Sequence, residues 1–60
     1  MKPGDLVRYR SEVRINGRHI EDIFIVQRIE HENDWAFVYG NEVPIQGRLL
    51  EVISNGVSIP

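Results

Sequence analysis

Met1-Lys2-Pro3-Gly4-Asp5-Leu6-Val7-Arg8-Tyr9 opens the chain, and its reading decides the fold. A Pro-Gly-Asp turn leads straight into an alternating segment. Proline presets φ, glycine accepts the positive φ that tight turns need, and aspartate hydrogen-bonds its own turn. Behind the turn, Val7 and Tyr9 alternate with Leu6, Arg8 and Arg10. That is the two-residue period of a strand with one covered face. Composition extends the same reading along the chain. Ile and Val together number fifteen, against three Leu and one Ala. β-Branched side chains suit a pleated surface and lose freedom in a helix. No window holds a sustained three-four apolar spacing, so no helix is expected.

Working outward, the first strand is predicted from Leu6 to Ile15. Asn16-Gly17 follows, the strongest short hairpin signal, because a type I′ turn needs φ > 0 at both central residues. A second strand is expected from about Arg18, firmly from Ile23, to Glu30. Its Ile23-Phe24-Ile25-Val26 stretch is apolar on both faces. His31-Glu32-Asn33-Asp34 reads as a polar turn, Trp35 to Tyr39 as strand three and Gly40-Asn41 as a turn. Glu42 to Gln46 reads as a short strand four. Pro44 has no amide to give a ladder, which places that strand on an edge or at a bulge. Gly47-Arg48-Leu49-Leu50 suits a single 3₁₀ turn, and Glu51 to Ser54 closes as strand five. Ser54-Asn55-Gly56 is a further turn. Residues 1–56 form one domain and 57–60 a tail.

Sixty residues bury only about 60% of the surface their unfolded chain exposes, so stability is expected to be marginal. With no cysteine, neither a disulfide nor a thiolate-metal site reinforces the fold. No apolar run approaches the ~20 residues of a membrane span, and no signal segment opens the chain. The expected setting is cytoplasmic or within an assembled particle, with no membrane contact. Charge is divided unevenly. Residues 1–18 carry five Lys and Arg against two acids, and residues 19–60 carry two against seven. A surface with opposite-signed patches suits a protein partner or a second copy. It does not suit a uniformly basic nucleic-acid binder.

Five short strands with a one-turn helix before the last describe an SH3-like barrel, and two segments carry a family resemblance. Lys2-Pro3-Gly4-Asp5-Leu6-Val7-Arg8-Tyr9 resembles the Gly-Asp-x-Val start of bacterial and viral SH3-like proteins. Val38-Tyr39-Gly40-Asn41-Glu42, followed by Leu50-Glu51-Val52-Ile53-Ser54, is similar to the end of small tailed-phage SH3-like proteins. The middle departs from that pattern. Ile23-Phe24-Ile25-Val26 stands where phage relatives carry Gly-Ile-Val, and Trp35 lies upstream of the Gly-containing turn rather than after it. The resemblance implies a five-stranded SH3-like barrel and a viral source (host cytoplasm or virion). It implies no reaction.

No catalytic, metal or phosphate motif is present, and no cofactor is expected. By analogy with peptide-binding SH3 domains, Tyr9, Trp35 and Pro44 are candidates for a proline-helix groove. The second tyrosine of such a groove is missing, with Arg48 or Leu49 in its place. The favoured alternative makes Phe37 and Tyr39 core residues and leaves Trp35 half-covering a barrel end, since aromatics in small cores mostly supply buried area. Lys2, Arg8, Arg10 and Arg14 could contact phosphates. The competing reading pairs the arginines across strands with Glu21, Glu30 or Glu51. His31, Glu32 and Asp34 lack the ligand count of a metal site, and His19 has no nucleophile to activate. Ile15, Ile20, Ile23, Ile25, Ile45 and Ile53 exceed what so small a barrel encloses. Ile23 and Ile25 therefore become the centre of a candidate protein contact on the outer face of strand two. The expected function is a non-enzymatic interaction or assembly module. The rival expectations are a nucleic-acid-binding barrel and a subunit whose site forms only between copies.

Overall fold

The structure is a computed structural model and describes residues 1–54. Ser54 ends the last strand, and the remainder of the expected Ser54-Asn55-Gly56 turn and the tail at 57–60 lie outside the described residues. The protein is all-β. Strands β1 (Leu6–Tyr9), β2 (Ile23–Glu30), β3 (Trp35–Val38), β4 (Ile45–Gln46) and β5 (Leu50–Ser54) make one antiparallel sheet in the order β4-β3-β2-β1-β5. A 3₁₀ turn at Gly47–Leu49 joins β4 to β5. Strand β4 is an edge strand but spans only Ile45–Gln46 rather than the expected Glu42–Gln46, so Pro44 lies outside the ladder instead of within the strand. The other edge is β5, and among the described residues no ladder joins the two edges.

Strand β2 organises the sheet. Its first half pairs with β1 (Leu6↔Ile25, Val7↔Phe24, Arg8↔Ile23), and its second half pairs with β3 (Val26↔Val38, Ile29↔Ala36). The register shifts between Val26 and Arg28, where the strand passes from one partner to the other. Alternation then sorts side chains by face. Val7, Tyr9, Val26, Ala36, Val38, Ile45 and Leu50 form the buried cluster, and Phe24 and Ile29 pack against it. The Tyr9 and Phe24 rings meet edge to face, with centroids 6.0 Å apart.

The opening turn does what its residues predict. The Asp5 amide donates to the Lys2 carbonyl at 3.1 Å, and Gly4 sits at φ 92°, as the third position of a type II turn requires. Gly4 N–H donates to the Val26 carbonyl and Val26 N–H to the Asp5 carbonyl, so the turn is stitched to the middle of β2. Asp5 is buried there. Its carboxylate accepts from the Lys2 amide at 2.9 Å and from Lys2 Nζ at 3.1 Å.

The first strand is shorter than the sequence implies. It ends at Tyr9, not Ile15. The Val13 amide turns back to the Arg10 carbonyl, and Arg14 Nη1 donates to the Ser11 and Val13 carbonyls. These local bonds replace the ladder. The Asn16-Gly17 hairpin does form, with φ of 52° and 79° and reciprocal Ile15–Arg18 backbone bonds. It is an isolated pair within the 10–22 excursion rather than the junction of two long strands.

At the far end Asp34 clamps the 3₁₀ turn. Its carbonyl accepts from the Gly47 amide and its Oδ2 from the Arg48 amide. A Cβ on Gly47 would collide with the Asp34 carboxylate, so any larger residue must shift the group that holds the Arg48 amide.

Candidate functional site

Sheet register places two rows of residues across the outer face. Leu6 of β1 lies opposite Ile25 of β2. Tyr39 N–H donates to the Ile25 carbonyl at 3.0 Å, one step beyond the inward Val26↔Val38 pair, so Tyr39 flanks Ile25 on the outside. On the other side of Leu6, the β1–β5 register shifts between Leu6 and Val7 and leaves Ile53 as the extra residue beside Leu6. The first row therefore reads Ile53, Leu6, Ile25, Tyr39, crossing β5, β1 and β2 to the residue just after β3. In the second row Arg8 stands between Ile23 and Glu51. Arg8 Nε reaches Glu51 Oε1 at 3.3 Å.

These side chains are open. Ile23 is 60% exposed, Ile25 40%, Ile53 39% and Tyr39 61%. The expectation that Ile23 and Ile25 stand on the outer face of β2 therefore matches the geometry. Ile45 and Ile20 leave the surplus. Ile45 belongs to the buried cluster and Ile20 packs against it.

The aromatic assignments need correction. Phe37 and Tyr39 are not core. The buried residues of β3 are Ala36 and Val38, and Trp35, Phe37 and Tyr39 share the opposite face. Phe37 is half-covered by the Arg28 guanidinium, 3.7 Å from its ring centroid, a cation–π contact. Trp35 lies half-buried between Glu30 and Gln46 in the register. Tyr9 points inward against Phe24 while Trp35 is on the outer side, so Tyr9, Trp35 and Pro44 do not form one groove.

The basic residues are dispersed as well. Lys2 is engaged with Asp5, Arg8 with Glu51, Arg10 Nε with the Arg48 carbonyl, and Arg14 with the carbonyls of its own turn. Arg14 lies beyond the end of β1, so no continuous arginine stripe forms on one strand. Arg8–Glu51 is one of the cross-strand pairs expected from the sequence. Asp5 shows what such tethering does to a titration. Burial raises its pKa, but the two Lys2 hydrogen bonds and the nearby positive charges outweigh that and hold it below the ordinary 3.8. Among the described residues no three His, Cys, Asp or Glu side chains gather for a metal ion. No helix of the described residues is long and apolar enough to cross a membrane.

Sequence reasoning placed Tyr39 in the core and missed it at the outer row. Strict alternation from Trp35 puts all three aromatics together but does not say which face is covered. The small Ala36 was the available signal, because it fits beneath the strand where a ring would not. No family model, curated protein or solved structure matches this chain.

Proposed function

We propose that this chain is a small non-enzymatic interaction and assembly module, of viral (phage) SH3-like type, acting in the host cytoplasm or the virion. It associates with a second copy through the outer face of β1, β2 and β5. Ile23 and Ile25 are its centre, and Leu6, Ile53 and Tyr39 extend it. The supporting observation is the cross-strand row Ile53–Leu6–Ile25–Tyr39. A domain this small has every reason to bury aliphatic groups, yet Ile53, Ile25 and Tyr39 of this row are exposed and Leu6 between them is only half-buried. The Arg8–Glu51 pair beside it supplies one charge of each sign. A two-fold interface can match such a pair to its own copy, because residue i then meets j and j meets i.

The test is capture of soluble chain by immobilised chain, with and without Ile25→Asp in both partners. The wild type is retained and the variant is not, while its circular dichroism stays that of the folded protein. Equal retention of both would remove the outer face from the reading.

The nucleic-acid reading rests on Lys2, Arg8, Arg10 and Arg14. It is disfavoured by their intramolecular partners and by the acidic remainder of the chain. Retention of labelled RNA or DNA that falls steeply with salt, and falls further in Arg8→Ser, would reinstate it.

A further inference from the structure

A second surface, independent of the outer row, lies along the free edge of β5. An open cleft of about 440 Å³ touches Leu50, Glu51 and Val52 in succession. Consecutive strand residues point to opposite faces. A cavity bounded by three in a row therefore runs along the strand's edge, not along either face. Strand β5 is the terminal strand of the sheet, so that edge has no ladder among the described residues. Ile29, near the end of β2 that has already left β1 for β3, and His31 just beyond that strand also line the cleft. The space is of the size that binding clefts occupy.

Charge in the cleft leans positive once the partners are counted. Glu51 is paired with Arg8, and the Asp34 carboxylate, which accepts from the neutral Arg48 amide and keeps its charge, offsets only one of two guanidinium groups. Arg10 and Arg48 also border the cleft. Arg10 uses only Nε, on the Arg48 carbonyl, which fixes its guanidinium along the 3₁₀ turn. Among the described residues neither guanidinium forms an ion pair. Unpaired strand-edge backbone beside two available guanidinium groups fits one kind of occupant. We infer that the β5 edge binds an extended acidic peptide segment by strand addition. Backbone bonds would run to β5, apolar side chains would lie toward Ile29 and Val52, and a carboxylate would meet Arg10 and Arg48.

The probe is a short labelled peptide of alternating valine and glutamate, titrated against the full chain at low salt. Amide chemical-shift mapping should place it at Ile29 and Leu50–Val52, away from Ile23, Ile25 and Tyr39. Replacing its glutamates by lysine, or N-methylating alternate amides, should weaken binding by about tenfold or more. Arg48→Glu should do the same. Its side chain makes no hydrogen bond among the described residues, and the wild-type shift map does not depend on that variant folding. The inference is overturned if the lysine peptide binds equally well, if the N-methylated one does, or if nothing binds at millimolar concentration. It is also overturned if shifts fall on the outer row, or if a second copy's β5 fills the cleft, seen as intermolecular contacts between Leu50–Val52 of two chains. A shift map confined to β5 with no self-association separates this site from the outer-face reading.

Discussion

The two faces of β2 carry nearly the same chemistry and opposite burial. Phe24 and Val26 turn inward, and Val26 is completely covered. Ile23 and Ile25 turn outward, Ile23 largely open and Ile25 partly so. Hydrophobicity alone does not separate them. What separates them is supply. The inner face meets Val7, Ala36, Val38 and Leu50 from its neighbours, whereas the outer face meets only a thin row and two charged side chains. An aliphatic group that the fold leaves uncovered is available to a partner, and burying one such side chain is worth about 1.5–3 kcal/mol.

The sharpest way to break this comparison is to cut the inner face. Leu50→Ala removes one of the three largest fully buried side chains and should cost about 2–5 kcal/mol, enough to unfold much of so small a domain. Urea denaturation followed by circular dichroism reads it, and a loss below 1 kcal/mol would place Leu50 outside the core. Gly47→Ala should come next, at about 1–3 kcal/mol, because its new methyl must displace the Asp34 carboxylate that clamps the 3₁₀ turn. The thermal midpoint should fall, and removing that carboxylate as well, in Gly47→Ala with Asp34→Ala, should cost less than the sum of the two single losses.

Asp5 gives a smaller, conditional effect. Its folded pKa lies below 3.8, so its contribution is complete above that value and is lost as pH falls through the lower folded value. Asp5→Asn should therefore flatten the acid limb of a stability-against-pH curve and leave its shape near neutrality unchanged. An unaltered acid limb would show that the Lys2 tether is not what depresses the carboxylate. The smallest effect on stability belongs to Ile25→Asp, expected within about 0.5 kcal/mol of wild type. Its neighbour Val26→Asp, one residue along the same strand, should not fold at all.

Much of this was legible in the chain. The Pro3-Gly4-Asp5 turn, the five strands, the edge position of the strand after Pro44 and the 3₁₀ turn at Gly47 all follow from local preferences that tertiary contacts then reinforce. The candidate site was only half legible. Ile23 and Ile25 could be found because a four-residue apolar run cannot hide both faces. Tyr39 could not, because period-two alternation groups residues without naming the covered side. Strand β1 was overextended for a similar reason. Arg8, Arg10 and Arg14 fall at the even spacing of a strand face, but beyond Arg10 the Val13 amide and the Arg14 guanidinium bond within a local turn instead. The β5-edge cleft was invisible, since it joins residues from both ends of the chain through the sheet order.

The most direct measurement is sedimentation equilibrium of the wild type and Ile25→Asp over a wide concentration range. The outer-face account requires mass that rises with concentration in the wild type and a folded, constant-mass monomer in the variant. A wild type that stays monomeric at the highest concentration, or a variant that assembles just as readily, would contradict it.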